Sequence, residues 1–216
     1  MLCAGIFGSL PLVLIPSKGK DDFFMNKDKK IYILAECAVM VALATGLSMI
    51  KVIKMPFGGS VTLLSMLPIM IFGLRRGAPW SLACSAVYSL VQLVLDLGEI
   101  FTWGLTPQAL VACGILDYFL AFSVLGFVGF FAKKGLPAAM AGISLSILLR
   151  LAVHVISGVV LWHSSGALWS GFPADNELLY SLVYNGVYMV PEMIFTLVGA
   201  AALIKVPQTR KVLSLA

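Results

Sequence analysis

The stretch Arg150-Leu-Ala-Val-His154-Val-Ile-Ser-Gly158-Val-Val-Leu-Trp162 decides the fold, because it carries two ionisable side chains within an apolar run that begins near Leu136. Arg150 and His154 are four residues apart and so share one face of a helix. If this run crosses a membrane, both side chains should face a cavity or a partner, because ionisable groups are costly in hydrocarbon. The alternative is a snorkelling arginine and a histidine that only fills the core.

The composition favours a membrane protein. The chain has 216 residues, 60% of them hydrophobic and 12% charged, and its mean hydropathy is +1.01. Soluble domains carry roughly 25% charged residues. The length suits one helical bundle. The four cysteines show neither metal-ligand spacing nor a disulfide framework.

Six apolar segments run through the chain, over residues 31–50, 61–74, 78–97, 107–132, 136–162 and 178–204. The second is short for a span, which needs about 20 residues, and it contains Pro68, so we expect it to be tilted or partly unwound. All six are predicted to be helical because backbone groups in lipid must bond internally. The sequence therefore predicts an all-α membrane protein, a bundle of six transmembrane helices.

The basic residues of the connectors predict the orientation. One set of connectors holds Lys27, Lys29, Lys30, Arg75, Arg76, Lys133, Lys134, Lys205, Arg210 and Lys211, whereas the alternate set holds Lys51 and Lys54. Cytoplasmic loops carry an excess of lysine and arginine, so both termini are expected in the cytoplasm. This arrangement requires an even number of spans, and four spans with two re-entrant segments are the main alternative.

The N-terminal stretch is ambiguous. Residues 1–16 are apolar but have no preceding basic residue, so they make a poor signal peptide. Met25 precedes a basic stretch and resembles a natural start. We therefore expect residues 1–24 to be a poorly ordered extension and residues 25–216 to be the membrane domain.

Polar and aromatic residues of three segments fall at similar depth in the outer half of the bilayer, counted at 1.5 Å per residue: Asp117, His154, Trp162, Tyr180 and Asn185. Their convergence predicts a ligand pocket open to the outside, polar at a few points and aromatic elsewhere. A simple ion pair between Asp117 and Arg150 is the alternative, and the two interpretations are compatible.

A carboxylate among aromatic rings suits an organic cation, held by charge and by cation–π attraction. The candidate rings are Trp103, Tyr118, Trp162, Trp169 and Tyr180. The sequence has no GxSxG, HExxH or Walker lysine motif, so we expect no enzyme, no metal site and no ATP hydrolysis by this chain. The net charge of +5 sits in short connectors, which favours membrane topology over nucleic-acid binding.

Several segments together resemble the thiamine-specific substrate-binding (S) components of energy-coupling factor (ECF) transporters, over roughly residues 30–204. The segments are 56–62, 66–69, 74–77, 116–122, 150–162 and 180–186. The resemblance implies a bacterial, multi-pass plasma-membrane protein with six helices. It also implies that thiamine is captured outside with high affinity and delivered by reorientation of the whole subunit.

The resemblance implies the thiamine contacts Asp117, Tyr118, His154, Trp162, Tyr180 and Asn185, with Phe57 from the first loop. Some members carry glutamate-tyrosine where this chain has Asp117-Tyr118, which places the carboxylate about one methylene further from the ligand. Asp117 would be the counter-charge or hydrogen-bond acceptor, and Trp162 the stacking surface.

The family also docks through an AxxxA pattern in its first helix, which Ala38 and Ala42 fit; small residues at this spacing allow close helix approach. The implied partners are a transmembrane coupling subunit and two ATPase subunits, which alone use ATP, and the chain needs no cofactor of its own. An S component for another vitamin or a thiamine precursor, a stand-alone secondary transporter, and a membrane enzyme or scaffold are the alternative functions.

Overall fold

The computed structural model describes residues 21–55, 59–163 and 176–213. Its helices and strands, in chain order, are α1 (Asp21–Ser48), β1 (Lys51–Lys54), β2 (Ser60–Thr62), α2 (Leu67–Arg76), α3 (Ala78–Ile100), α4 (Pro107–Phe131), α5 (Leu136–Trp162), α6 (Glu177–Lys205) and α7 (Pro207–Leu213). The chain divides into two compact units, Met1–Ala35 and Glu36–Ala216, and the second contains the site. Residues 1–20 lie outside the described part, so the extension 1–24 stays a prediction.

The helical membrane fold is confirmed. Within the described residues, five helices are long and apolar enough to cross a bilayer: Lys29–Ser48 of α1, α3 continued to Trp103, α4, α5 and α6. The second predicted segment is different, because its first residues form β2 and only Leu67–Arg76 is helical. Ten helical residues rise about 15 Å, half the hydrocarbon thickness. The six-helix count and the cytoplasmic termini therefore stay predictions.

A β-hairpin joins α1 to α2, where the sequence predicted a connector and the start of the second helix. β1 and β2 are antiparallel, with Lys54 opposite Ser60 and Lys51 opposite Thr62. All four residues of β1 are exposed, whereas Val61 and Thr62 of β2 are buried. The hairpin therefore buries β2 against the bundle and leaves the two lysines of β1 at the surface.

The short helix α2 lies within the bundle, with Ile69, Phe72 and Leu74 almost fully buried. Its C-terminal Arg75 and Arg76 both donate to the carboxylate of Glu36, with Arg76 Nε 2.7 Å from Glu36 Oε2. This interaction joins the C-terminus of α2 to α1. It also explains the single acidic residue early in the first apolar segment.

Close packing of α3 against α4 depends on two glycines of α4. A Cβ added at Gly126 would lie 2.7 Å from the Leu82 Cα, and one added at Gly129 would lie 2.7 Å from the Ala78 Cα. Any larger residue would push the two backbones apart. Small residues at helix contacts are the usual means of close approach in membranes, and here they bring α4 against α3.

Candidate ligand-binding site

A cavity of about 670 Å³ lies among α3, α4, α5, α6 and the hairpin. Small-molecule sites commonly have volumes of roughly 300–1,000 Å³. Six predicted site residues line this cavity: Asp117, Tyr118, His154, Trp162, Tyr180 and Asn185. The seventh, Phe57, lies outside the described residues. The structure thus brings the six together, while their contact with a ligand stays a prediction.

Asp117 is the centre of a three-residue cluster. His154 Nδ1 lies 3.2 Å from Asp117 Oδ1, and the Trp162 Nε1–H donates to Asp117 Oδ2 across 3.1 Å. Because the carboxylate accepts from Nδ1–H, the neutral imidazole has its lone pair on Nε2. His154 Nε2 is buried and makes no hydrogen bond within the described chain. The cluster therefore presents a carboxylate and an imidazole acceptor beside an indole ring.

The helices that carry this cluster change their winding at the site. Gly114–Leu120 of α4, which contains Asp117, and Gly158–Trp162 of α5 are π-helical. π-Helical turns are rare and often occur at functional sites, because they redirect side chains relative to a regular α-helix. Each of these segments begins at a glycine. Sequence periodicity assumes a constant winding and does not reveal this feature.

α5 and α6 are in close contact at Gly158 and Ser181. A Cβ added at Gly158 would lie 2.0 Å from Ser181 Oγ. Ser181 Oγ donates to the Val155 carbonyl at 3.0 Å, and Asn185 Nδ2 donates to the Ser181 carbonyl at 2.8 Å. Asn185 Oδ1 accepts from the Tyr188 hydroxyl at 2.6 Å. The Ser181 hydroxyl therefore joins α6 to α5, and Asn185 Nδ2 adds a longer bond of 3.4 Å to the His154 carbonyl of α5.

Arg150 pairs with Glu192 of α6 instead of Asp117, so the predicted alternative of an Asp117–Arg150 pair is wrong. Arg150 Nη1 lies 3.6 Å from Glu192 Oε2, and its guanidinium carbon lies 4.0 Å from the centre of the Phe122 ring. Glu192 Oε1 also accepts from the backbone N–H and the hydroxyl of Thr62. Arg150 is 8% exposed and Glu192 3%. This buried pair ties α5 and α6 to β2.

Aromatic rings surround the cluster. The Trp103 and Trp162 rings are 5.4 Å apart and meet edge to face, and the Tyr180 and Tyr184 rings stack at 6.3 Å. Tyr118 lies 6.3 Å from Phe122 in a stacked arrangement. Four of the five predicted aromatic residues thus line the cavity, namely Trp103, Tyr118, Trp162 and Tyr180, while Trp169 lies outside the described residues. A cation in the cavity would meet ring faces and edges on several sides.

Sequence reasoning missed several residues that line the cavity, chiefly Lys51, Tyr88, Gln92, Asp96, Tyr184 and Glu192. Asp96 accepts from the Tyr118 hydroxyl at 3.2 Å and lies 3.9 Å from Lys51 Nζ. Asp96 and Glu192 are acidic residues within apolar helices, and this pattern could have marked them as candidate site residues. Lys51 carried no such signal, because it was counted only as a connector charge.

The predicted docking pair, Ala38 and Ala42, lies in α1, where both residues are exposed. The structure contains no partner chain, so their role stays a prediction. Among the described residues, no group of three or more His, Cys, Asp or Glu side chains is placed to hold a metal ion.

Comparison with known proteins identifies the family. Residues 34–212 match the family model described as thiamine transporter protein (Thia_YuaJ). The thiamine transporter ThiT of Bacillus subtilis is 34% identical over 184 residues, covering 79% of this chain and 88% of the relative. The ThiT of Lacticaseibacillus paracasei is 26% identical over 203 residues, covering 84% and 91%.

A solved structure of ThiT from Listeria monocytogenes has the same fold, with a TM-score of 0.67 and 24% sequence identity. The match covers 84% of this chain and 98% of that chain. Members of this family are transporters and not enzymes, which confirms that prediction, and the apolar helices make this chain a multi-pass plasma-membrane protein. By the family model and the Bacillus relative together, the chain belongs to the thiamine transporter protein family.

Proposed function

We propose that this chain captures thiamine outside the cell with high affinity and delivers it across the membrane as the substrate-binding subunit of an ATP-driven ECF-type transporter. The observation that carries the proposal is the Asp117 carboxylate, held by His154 and Trp162 inside an aromatic cavity of about 670 Å³. The family membership and the names of the relatives support thiamine as the ligand.

The chemistry of the cluster fits thiamine, which has a permanent thiazolium charge and an aminopyrimidine ring. A buried cation needs a counter-charge, and Asp117 supplies one. Trp162 offers a ring face to the cation. The unpaired His154 Nε2 is an acceptor for an amino N–H of the ligand. Tyr118, Tyr180 and Asn185 complete the proposed contacts, and Phe57 joins them from the first loop.

Energy for transport comes from other subunits in this proposal. The partners are a transmembrane coupling subunit and two ATPase subunits, and the chain uses no cofactor of its own. Ala38 and Ala42 are exposed at AxxxA spacing on α1, which is the geometry needed for close approach of a partner helix.

Direct titration tests the ligand. Intrinsic tryptophan fluorescence of the purified chain is followed while thiamine, riboflavin, biotin or hydroxymethylpyrimidine is added. Thiamine is expected to bind at least about 100-fold more tightly than the others, which corresponds to about 2.7 kcal/mol. Tighter binding of another vitamin would assign this chain to that ligand, and tighter binding of hydroxymethylpyrimidine would assign it to a thiamine precursor.

Reconstitution tests the energy source. Proteoliposomes that contain only this chain are expected to bind thiamine without accumulating it, whereas co-reconstitution with a coupling subunit and ATPases should give ATP-dependent uptake. Gradient-driven accumulation by the chain alone would instead establish a stand-alone secondary transporter.

A further inference from the structure

A lysine, a carboxylate and a phenol form a chain of contacts along the cavity wall. Lys51 Nζ of β1 lies 3.9 Å from Asp96 Oδ1 of α3, and the Tyr118 hydroxyl donates to Asp96 Oδ2 at 3.2 Å. All three residues line the cavity. The Lys51 and Asp96 side chains are 32% and 31% exposed, so a ligand in the cavity can reach both.

The other charged residues of the cavity show why the contact between Lys51 and Asp96 matters for an anionic ligand. Arg150 is paired with Glu192 and is 8% exposed, so its charge is already balanced in the interior. Asp117 is engaged by His154 and Trp162. Among the described lining residues, Lys51 is therefore the positive charge that an incoming anionic group would meet most easily. Asp96 is the group that neutralises it.

We infer that Asp96 is a specificity-determining residue, which disfavours ligand forms that carry an anionic group, such as phosphorylated thiamine. Its carboxylate repels a phosphoryl group directly, and it also holds the Lys51 ammonium that would otherwise bind that group. Both effects lower the affinity for the phosphorylated form. The inference rests on the proposed function, because it concerns the same cavity and the same ligand class.

The contact between Lys51 and Asp96 is weak, so a substitution at position 96 should change the preference between ligand forms. A separation of 3.9 Å between Lys51 Nζ and Asp96 Oδ1 is longer than a hydrogen bond. Partly exposed ion pairs are weak, so little free energy is needed to redirect the lysine. The Tyr118 hydroxyl needs only an acceptor at position 96. An asparagine there keeps an acceptor for Tyr118 while removing the negative charge.

The test compares affinities for thiamine and thiamine monophosphate in the full chain. Asp96→Asn is expected to raise the affinity for the monophosphate relative to thiamine by about fivefold, the scale of one partly exposed charge interaction. Lys51→Gln is expected to shift the same ratio in the opposite direction. Glu99→Gln is the matched control. Glu99 lies in α3, like Asp96, and pairs at 3.1 Å with Lys54, which lies in β1 like Lys51. Glu99 does not line the cavity.

The outcomes separate this inference from the proposed function. A ratio that stays within about twofold in Asp96→Asn overturns the role of Asp96 even if thiamine binds normally, because so small a change, about 0.4 kcal/mol, does not determine specificity. If Asp96→Asn does not fold, Lys51→Gln decides: an unchanged or raised relative affinity for the monophosphate also overturns it. A shift of equal size in Glu99→Gln would reduce the effect to general surface charge and overturn it as well. Failure of the parent chain to bind thiamine removes the proposed function and this inference together.

Discussion

His154 Nδ1 lies 3.2 Å from Asp117 Oδ1, so the imidazole of α5 is oriented by the carboxylate of α4. Trp162 donates to the other carboxylate oxygen, so each oxygen of Asp117 has one partner in the cluster. Neither partner is a lysine or an arginine, the side chains that carry a permanent positive charge. Asp117 therefore remains available as a counter-charge for a cation, which an Asp117–Arg150 ion pair would not have allowed.

Asp117→Asn should weaken thiamine binding by about 2–5 kcal/mol, the range for truncating one partner of a buried charge pair. This corresponds to a roughly 30-fold to several-thousand-fold loss of affinity at about 1.4 kcal/mol per decade. The substitution preserves size and an acceptor for Trp162, so the fold should persist. Calorimetric titration measures the loss. A folded variant that binds thiamine like the parent would exclude the counter-charge role.

Trp162→Phe should lower thiamine affinity by about 1–3 kcal/mol, on the scale of base–aromatic stacking, because the smaller ring loses contact area and the N–H to Asp117. It should also remove most of the fluorescence change on binding. Trp80→Phe is the control, since Trp80 stands at the opposite end of α3 from Asp96. An equal fluorescence loss in both variants would argue against a ligand contact at Trp162.

Glu192→Gln should destabilise the protein, because it leaves the buried Arg150 charge unpaired. Removing one partner of a buried ion pair costs about 3–5 kcal/mol, while glutamine still offers an acceptor to Thr62. Thermal unfolding in detergent measures the effect. Glu99→Gln, in the more exposed pair with Lys54, should change stability by at most about 1 kcal/mol. Equal melting temperatures for the two variants would contradict this assignment.

Gly158→Ala should separate α5 from α6, because the new Cβ would meet Ser181 Oγ at 2.0 Å and Ser181 Cβ at 2.9 Å. Overpacking of this kind costs about 1–3 kcal/mol, and both stability and thiamine affinity should fall. Adding Ser181→Gly should restore part of each. Gly186→Ala in α6 meets nothing within 4 Å and serves as the control. Failure of the rescue would show that the α5–α6 contact is not the cause.

Replacing both Ala38 and Ala42 with tryptophan should abolish uptake in cells that carry the whole transporter, yet leave thiamine binding by the isolated chain intact. Both residues are exposed on α1, so the larger side chains need not disturb the bundle. Uptake of labelled thiamine and titration of the purified chain are measured in parallel. Loss of binding together with uptake would indicate misfolding and remove the argument for docking.

Hydrophobic segments predicted most of the fold because the bilayer imposes length and internal hydrogen bonding on each span. The segments that became α3, α4, α5 and α6 follow this rule. The residues 61–74 did not form one helix, because Pro68 lies at the start of α2 and the residues before it pair with β1. Pairing with another segment is a long-range choice that hydropathy does not contain.

Depth along the helices was enough to predict that Asp117, His154, Trp162, Tyr180 and Asn185 converge. Rotation about the helix axes was not predictable in the same way. The π-helical turns at Asp117 and Trp162 change that rotation locally. Arg150 pairs with Glu192 of α6 instead of Asp117, which depth along the helices did not predict.

The sequence by itself determined a membrane bundle, the segments that build it and the residues that meet at one depth, because hydropathy and the rise per residue act locally. Only the tertiary structure decided which acid pairs with which base, and that Lys51 and Asp96 join the cavity wall. Those pairings arise from packing between distant segments, because Arg150 of α5 meets Glu192 of α6 and Lys51 of the hairpin meets Asp96 of α3.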